Sequence, residues 1–335
     1  MIEKVVYFYE KRVRNVTALY YKIVLSALEK NNVEIIPVPD CEKKYVNFPK
    51  STYFYISGIK DFIPLYRWGY RNFIFWFQGV EPEERYMFNH SKIKTYVFSL
   101  LEKMALKKSK YRIGVTEALF EHYRNKYKLD LPRDQYFLMP CFNTLLNPDS
   151  FKTQGKYKNN VFCYAGGLQP WQGVEHIFSI YEKIEAKYGD KVSIRIFSKE
   201  LEGTKALLSH YQIKNYSIEC VAEGNMDKAL AECKYGFIVR EDNVVNNVAA
   251  PTKLSAYLAN GVIPIFTSSI KAYKALSDQY SYLCCMDDMK DLQSIERMMS
   301  IDLSYDDILK EYSKIFDEYY NVDKYISTLS DYLSK

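Results

Sequence analysis

The chain has 335 residues, 48% of them hydrophobic and 26% charged, which excludes a disordered or low-complexity polymer and leaves room for two domains. The formal net charge of +5 is too small by itself to argue for nucleic acid, and no nucleic-acid partner is expected. Tyrosine is the outlier, with 32 Tyr against 19 Phe and 3 Trp, an excess open to sugar stacking, membrane-interface use or plain codon bias.

The chain opens on a strand-like run, Lys4–Tyr9, without the apolar segment and cleavage site of a secretory signal. Further strands are predicted at Glu34–Val38, Tyr53–Ser57, Asn72–Phe77, Arg112–Val115 and Tyr136–Met139, with helices at Val16–Lys30, Ser91–Lys110 and Glu117–Tyr127. The run Phe73–Phe77 is short and continuously apolar, as in a strand buried on both faces. It is far shorter than the ~20 residues of a membrane helix.

A polar stretch, Asn147–Asn160, lacks periodic apolar positions and reads as a linker. The alternation then resumes. Strands are predicted at Val161–Ala165, Val192–Ser198, Tyr216–Val221, Tyr235–Val239, Val262–Thr267 and Tyr280–Cys284. Helices are predicted at Trp171–Tyr188, Leu201–His210, Asp227–Cys233, Thr252–Asn260 and Ile270–Ser277, and the chain from Ser304 onward reads as helical. Such alternation predicts an α/β chain of two Rossmann-like, doubly wound domains facing a central cleft. The expected division is 1–148 for the first domain, 149–303 for the second and 304–335 for a helical segment packing back toward the first domain.

The seven cysteines are scattered without a C-x-x-C pair, and the four histidines lie far apart. Reduced thiols in a cytoplasmic compartment fit this better than disulfides or zinc, and no metal or cofactor is expected. Charge is uneven: residues 1–150 carry +8 and the remainder −3. The densest basic stretch, 85–112, holds eight basic residues and one acid, Glu102, interleaved with Tyr86, Tyr96 and other apolar residues. That pattern fits either a helix on an anionic membrane surface or an amphipathic helix packed on a sheet with its lysines solvated.

Two stretches carry the chemistry. In Val239–Phe266 a strand ends at Arg240 and a polar loop follows. Pro251, Thr252, Lys253 and Leu254 then open a helix that Gly261 caps. An Arg and a Lys beside free helix N–H groups suit a diphosphate. In Tyr164–Glu175 a strand leads to Gly166 and Gly167, which permit close backbone approach to a ligand.

Together these stretches resemble the donor domain of GT-B glycosyltransferases of the retaining family 4 type. The likeness rests on Arg240-Glu-Asp-Asn, Pro251-Thr-Lys-Leu and Tyr257-Leu-Ala-Asn-Gly-Val-Ile-Pro-Ile265, with Trp76–Glu84 and Leu101–Glu117 resembling parts of the first domain. The family's usual phosphate-gripping Arg and Lys fall here on Gly167 and Gln172, and its usual E-x7-E pair on Val248 and Ala256. The resemblance implies retaining transfer of a sugar from a nucleotide diphosphate sugar, UDP by default, to a glycan or lipid-linked acceptor in cell-surface polysaccharide synthesis. Arg240 and Lys253 would stabilise the leaving diphosphate, with Glu81 assisting deprotonation. Gly166, Gly167, Gln172, Asp242, Asn243, Pro251, Thr252 and Leu254 would bind the donor. Arg12, Arg14, Asn15, Gln78 and Gly79 would meet the acceptor. Trp171 could stack on a ring or pack on the sheet.

The competing expectation is a non-catalytic GT-B subunit that binds or stabilises an active transferase. A phosphosugar epimerase of the same fold would need a cleft acid/base set that is not found. A homo-oligomer, a partner transferase and a peripheral position on the inner membrane face are the other expected associations.

Overall fold

The computed structural model describes residues 2–9, 18–45, 47–222 and 224–335. They form two compact units. The first comprises Met1–Asn143, Val248–Ala250 and Asn321–Lys335, and the second Thr144–Asn247 and Pro251–Tyr320.

In the first unit the elements are β1 (Lys4–Tyr9), α1 (Ala18–Lys30), β2 (Glu34–Pro39), β3 (Tyr53–Ile56), α2 (Ile59–Arg67), β4 (Asn72–Phe77), α3 (Glu81–Asn89), α4 (Lys92–Lys108), β5 (Tyr111–Gly114), α5 (Glu117–Tyr127) and β6 (Phe137–Leu138). The six strands lie in the order β2-β1-β3-β4-β5-β6, every described pairing parallel. Phe73, Ile74 and Trp76 are fully enclosed, as expected for a strand with helices on both faces.

The second unit runs β7 (Asn160–Ala165), α6 (Val174–Tyr188), β8 (Val192–Phe197), α7 (Leu201–Leu208), β9 (Tyr216–Glu219), α8 (Met226–Ala231), β10 (Tyr235–Ile238), α9 (Val244–Asn247), α10 (Lys253–Ala259), β11 (Ile263–Thr267), α11 (Lys271–Ser277), β12 (Cys284–Met286), α12 (Leu292–Ser300) and α13 (Tyr305–Glu318). Its parallel sheet has the order β12-β11-β10-β7-β8-β9. The order reverses between β7 and β10, which is where a sheet of this kind opens a crevice at its carboxyl edge.

Several elements depart from the sequence expectation. Helix α2, with Pro64 in its interior, and α3, which opens on Glu81-Pro-Glu-Glu, are additional to the predicted helices. Pro82 sits in the first turn of α3, where its missing N–H has no helical partner to lose. The stretch read as a linker belongs to the second unit. Its Ser150 and Phe151 are buried, and the Lys156 ammonium is buried against the carbonyls of Ala231 (3.1 Å) and Asn260 (2.5 Å). The carboxyl-terminal helical stretch is shared between the units. The α13 residue Glu311 accepts the N–H groups of Ser281 and Tyr282 in the second unit. Helix α14 (Val322–Leu333) packs on α1 in the first, where Asn31 and Ser330 exchange two hydrogen bonds of 2.8 Å.

Candidate functional site

The carboxyl ends of β7 and β10 bring the two sequence motifs together. Residues Tyr235–Val239 are all buried, so the chain leaves the sheet core directly into Arg240. The Arg240 backbone is fixed by Thr267 at the end of β11. The Thr267 hydroxyl accepts the Arg240 N–H at 2.9 Å and donates to its carbonyl at 2.6 Å. Helix α10 is fixed by Tyr257, whose ring lies over Gly236. A Cβ there would come within 2.5 Å of the ring. The Tyr257 hydroxyl also accepts the Ala165 N–H at 3.1 Å. Lys253 stands four residues before Tyr257, one turn earlier on the same helix face.

The cations meet at Gln172. Its Oε1 accepts from Arg240 Nη2 at 2.9 Å and from Lys253 Nζ at 2.6 Å, while Arg240 Nη1 donates to the Trp171 carbonyl. The Lys253 ammonium also lies 4.2 Å from the centre of the Tyr164 ring. Arg240 is 5% exposed, and its Nε is buried without a partner. Burial pulls the Arg240 guanidinium down to about 10, and burial together with Arg240 pulls the Lys253 ammonium well below the ordinary lysine value. Among the described residues no carboxylate forms an ion pair with either cation. A buried and a half-buried positive charge sharing one neutral acceptor are unfavourable unless an anion joins them.

The glycine loop closes on this pair. A Cβ on Gly166 would lie 2.7 Å from Lys253 Nζ, and one on Gly167 would lie 2.7 Å from Glu200 Oε1. Gly173 is left-handed, at φ +62°, and a side chain there would strike the Val239 carbonyl at 2.6 Å. The loop is tied back by Tyr164, whose hydroxyl donates to the Gly167 carbonyl at 2.6 Å.

The remaining donor-site candidates have other neighbours. Helix α10 begins at Lys253 and is seven residues long, so the lysine, not a long helix dipole, supplies the positive end. Thr252 uses its carbonyl for the Ser255 hydroxyl, Pro251 uses its carbonyl for the Tyr273 hydroxyl, and Leu254 is fully buried in the core. Asn243 Oδ1 accepts the Asn246 N–H at 3.0 Å and so shapes the loop, whereas Asp242 is exposed. Trp171 contributes its carbonyl through a short 3-10 turn, Pro170–Gln172, that precedes α6. Tyr164, Thr267 and Gly173 are parts of the site that sequence reasoning missed. A tyrosine in a buried strand and a threonine at a strand end carry no local signal of their partners.

The first unit holds a separate cavity of about 1290 Å³ where its strand order reverses, between β1 and β3. Among the described residues Tyr7, Tyr21, Ser57, Gln78, Gly79 and Glu84 line it. The Gly79 carbonyl accepts the Tyr123 hydroxyl at 2.8 Å. Glu81 has both oxygens engaged, Oε1 with Arg85 at 2.5 Å and Oε2 with the Ile59 N–H at 3.2 Å. That arrangement joins α2 to α3. Burial raises the Glu84 carboxyl, with Glu81 adding to the shift. Arg12, Arg14 and Asn15 lie outside the described residues. A smaller pocket of about 420 Å³ is lined by Asn159, Val161 and Ser193 at the amino ends of β7 and β8, away from the ligand edge. Among the described residues no cluster of three or more His, Cys, Asp or Glu side chains is placed to hold a metal.

Comparison with known proteins places the fold. No protein-family model and no curated protein matches the sequence. Solved structures do match. HepE from Anabaena, in complex with UDP and glucose, aligns at 10% identity over 99% of each chain with a TM-score of 0.70. Sucrose-phosphate synthase from Thermosynechococcus elongatus aligns at 10% identity over 98% of each chain, with a TM-score of 0.69. A trehalose-6-phosphate structure from E. coli, bound with UDP-2-fluoro glucose, aligns at 11% identity over 98% of this chain and 99% of the other, with a TM-score of 0.65. The chain has the GT-B architecture of two Rossmann-like domains.

Proposed function

We propose that the chain is a glycosyltransferase that moves a sugar from a nucleotide diphosphate sugar to an acceptor hydroxyl. The observation that carries this reading is the pair of buried Arg240 and half-buried Lys253, held on one neutral oxygen beside a glycine loop at the switch point of the second sheet. A diphosphate supplies the anion that this pair lacks. The structural neighbours crystallised with UDP or a UDP sugar support uridine as the donor base.

In the proposed reaction the bond from the anomeric carbon to the diphosphate oxygen breaks, and the acceptor oxygen bonds that carbon. The acceptor proton passes to the departing diphosphate, whose charge Arg240 and Lys253 hold through the transition state. Retention of configuration, a metal-independent step and a glycan or lipid-linked acceptor in polysaccharide synthesis follow from the family 4 resemblance. The cavity of the first unit, with its tyrosines and carboxyls, is the proposed acceptor side. The test is release of free nucleoside diphosphate from UDP sugars by the purified chain. Turnover that falls ~10²–10³-fold in Lys253→Ala supports the reading. Tight UDP binding without turnover, across a panel of sugars and acceptors, replaces it with a non-catalytic subunit.

A further inference from the structure

We infer that α4 is a docking surface for an anionic lipid bilayer. The helix leaves Ile93 (79% exposed), Tyr96 (65%), Val97 (46%) and Leu100 (50%) open to solvent. Their spacing of three, one and three residues makes them one continuous stripe of a helix with 3.6 residues per turn. Tyr86 and Phe88, on the preceding α3, are exposed as well. Half of the large hydrophobic side chains exposed among the described residues fall between Tyr86 and Leu100. The helix is therefore amphipathic in the opposite sense to a packed one along its first three turns. Only its last turns bury Glu102, Ala105 and Leu106.

Charge selects the occupant. At roughly 100° per residue, Lys92 and Lys103 flank the stripe on one side and Lys94 and Lys108 on the other. The only acid between Tyr86 and Lys110 is Glu102, which is buried and bonded to Tyr127 at 2.5 Å. An apolar stripe edged by lysines on both sides suits a helix lying in the interface plane, its apolar side chains among acyl chains and its ammonium groups at the headgroups. A second copy of this surface would bring two lysine rims together, and neutral protein would leave them unpaired. No described helix is long and apolar enough to cross a membrane, so the contact is peripheral.

The test is flotation of the full chain with vesicles of phosphatidylcholine alone and of phosphatidylcholine with 30% phosphatidylglycerol. The expected result is binding to the anionic vesicles at 50 mM NaCl, a severalfold loss at 300 mM, and little binding to neutral vesicles. Lys94→Gln with Lys103→Gln should weaken partitioning about fivefold per lysine. Ile93→Ser with Leu100→Ser should weaken it while the thermal transition stays in place, because neither residue is in the core. Equal binding to neutral vesicles, or none to anionic vesicles at 50 mM, overturns the inference. So does a sedimentation mass that halves in Ile93→Ser, which assigns the stripe to self-association.

Discussion

Among the described residues the second unit holds the cations Arg240 and Lys253 without a counter-ion, while the first buries the acid Glu102 beside a hydroxyl donor and a cation. Arg240 and Lys253 share only Gln172 Oε1. Glu102, 2% exposed, receives the Tyr127 hydroxyl and lies 3.4 Å from Lys126, which in turn pairs with Glu83 at 2.7 Å. The formal charges of the two sequence halves have the opposite signs, +8 where the buried acid sits and −3 where the buried cations sit. Surface lysines set the net charge of a half, and enclosed groups set the charge of its site. An acid that finds a donor and a cation is part of the scaffold. Two cations that find one amide oxygen and, among the described residues, no carboxylate are left uncompensated, which is the basis of the proposed anion site.

The largest expected effect comes from breaking the cation pair. Arg240→Met should lower transfer ~10²–10³-fold, read as initial rate of nucleotide release, since in the proposed reaction the group it removes holds the developing charge. Gln172→Glu should come next. A carboxylate between the cations occupies the place proposed for the diphosphate, so nucleotide binding should weaken on the order of tenfold while the melting temperature of the empty protein rises. Calorimetric titration and a thermal melt of the same variant read the two effects together.

Gly173→Ala tests the loop alone. It forces a left-handed alanine against the Val239 carbonyl, which should lower stability by ~1–3 kcal/mol in the second unit and leave α1 and α14 protected in hydrogen exchange.

The smallest and most specific effect is a pH dependence in the first unit. Burial pushes the Glu102 carboxyl up from 4.5 to about 8, so the native state holds its proton where the unfolded chain has released it. Its stabilising contribution is full below about pH 4.5 and is lost as pH rises through about 8. Glu102→Gln imitates the protonated acid. It should melt with the parent near pH 5 and above it by roughly 3–8 °C at pH 8.5. A constant difference across that range contradicts the assignment.

Much of the fold was legible because buried parallel strands announce themselves locally, as Phe73–Phe77 and Tyr235–Val239 do. Helices α2 and α3 were not, since Pro64 falls inside α2 and α3 buries only Pro82, so it shows no inward apolar face of helical period. At the site, Arg240 and Lys253 stood out through the strand, loop and Pro-Thr-Lys order. Gln172 read as a donor contact standing where the family has a lysine. Its partners lie 68 and 81 residues away, so its holding of both cations is written in the folded chain and not in any window of sequence. The basic helix gave its period but not its orientation, which depends on Glu102 and Leu106 turning inward.

Lys253→Met keeps the length of the side chain and removes its charge from a half-buried position. Titration calorimetry of UDP against this variant and the parent, with the melting temperature of each empty protein, tests whether the cation pair is retained for an anion. The expected result is a melting temperature equal to or above the parent's and UDP binding weakened at least tens of fold. Undiminished UDP affinity in Lys253→Met would contradict it.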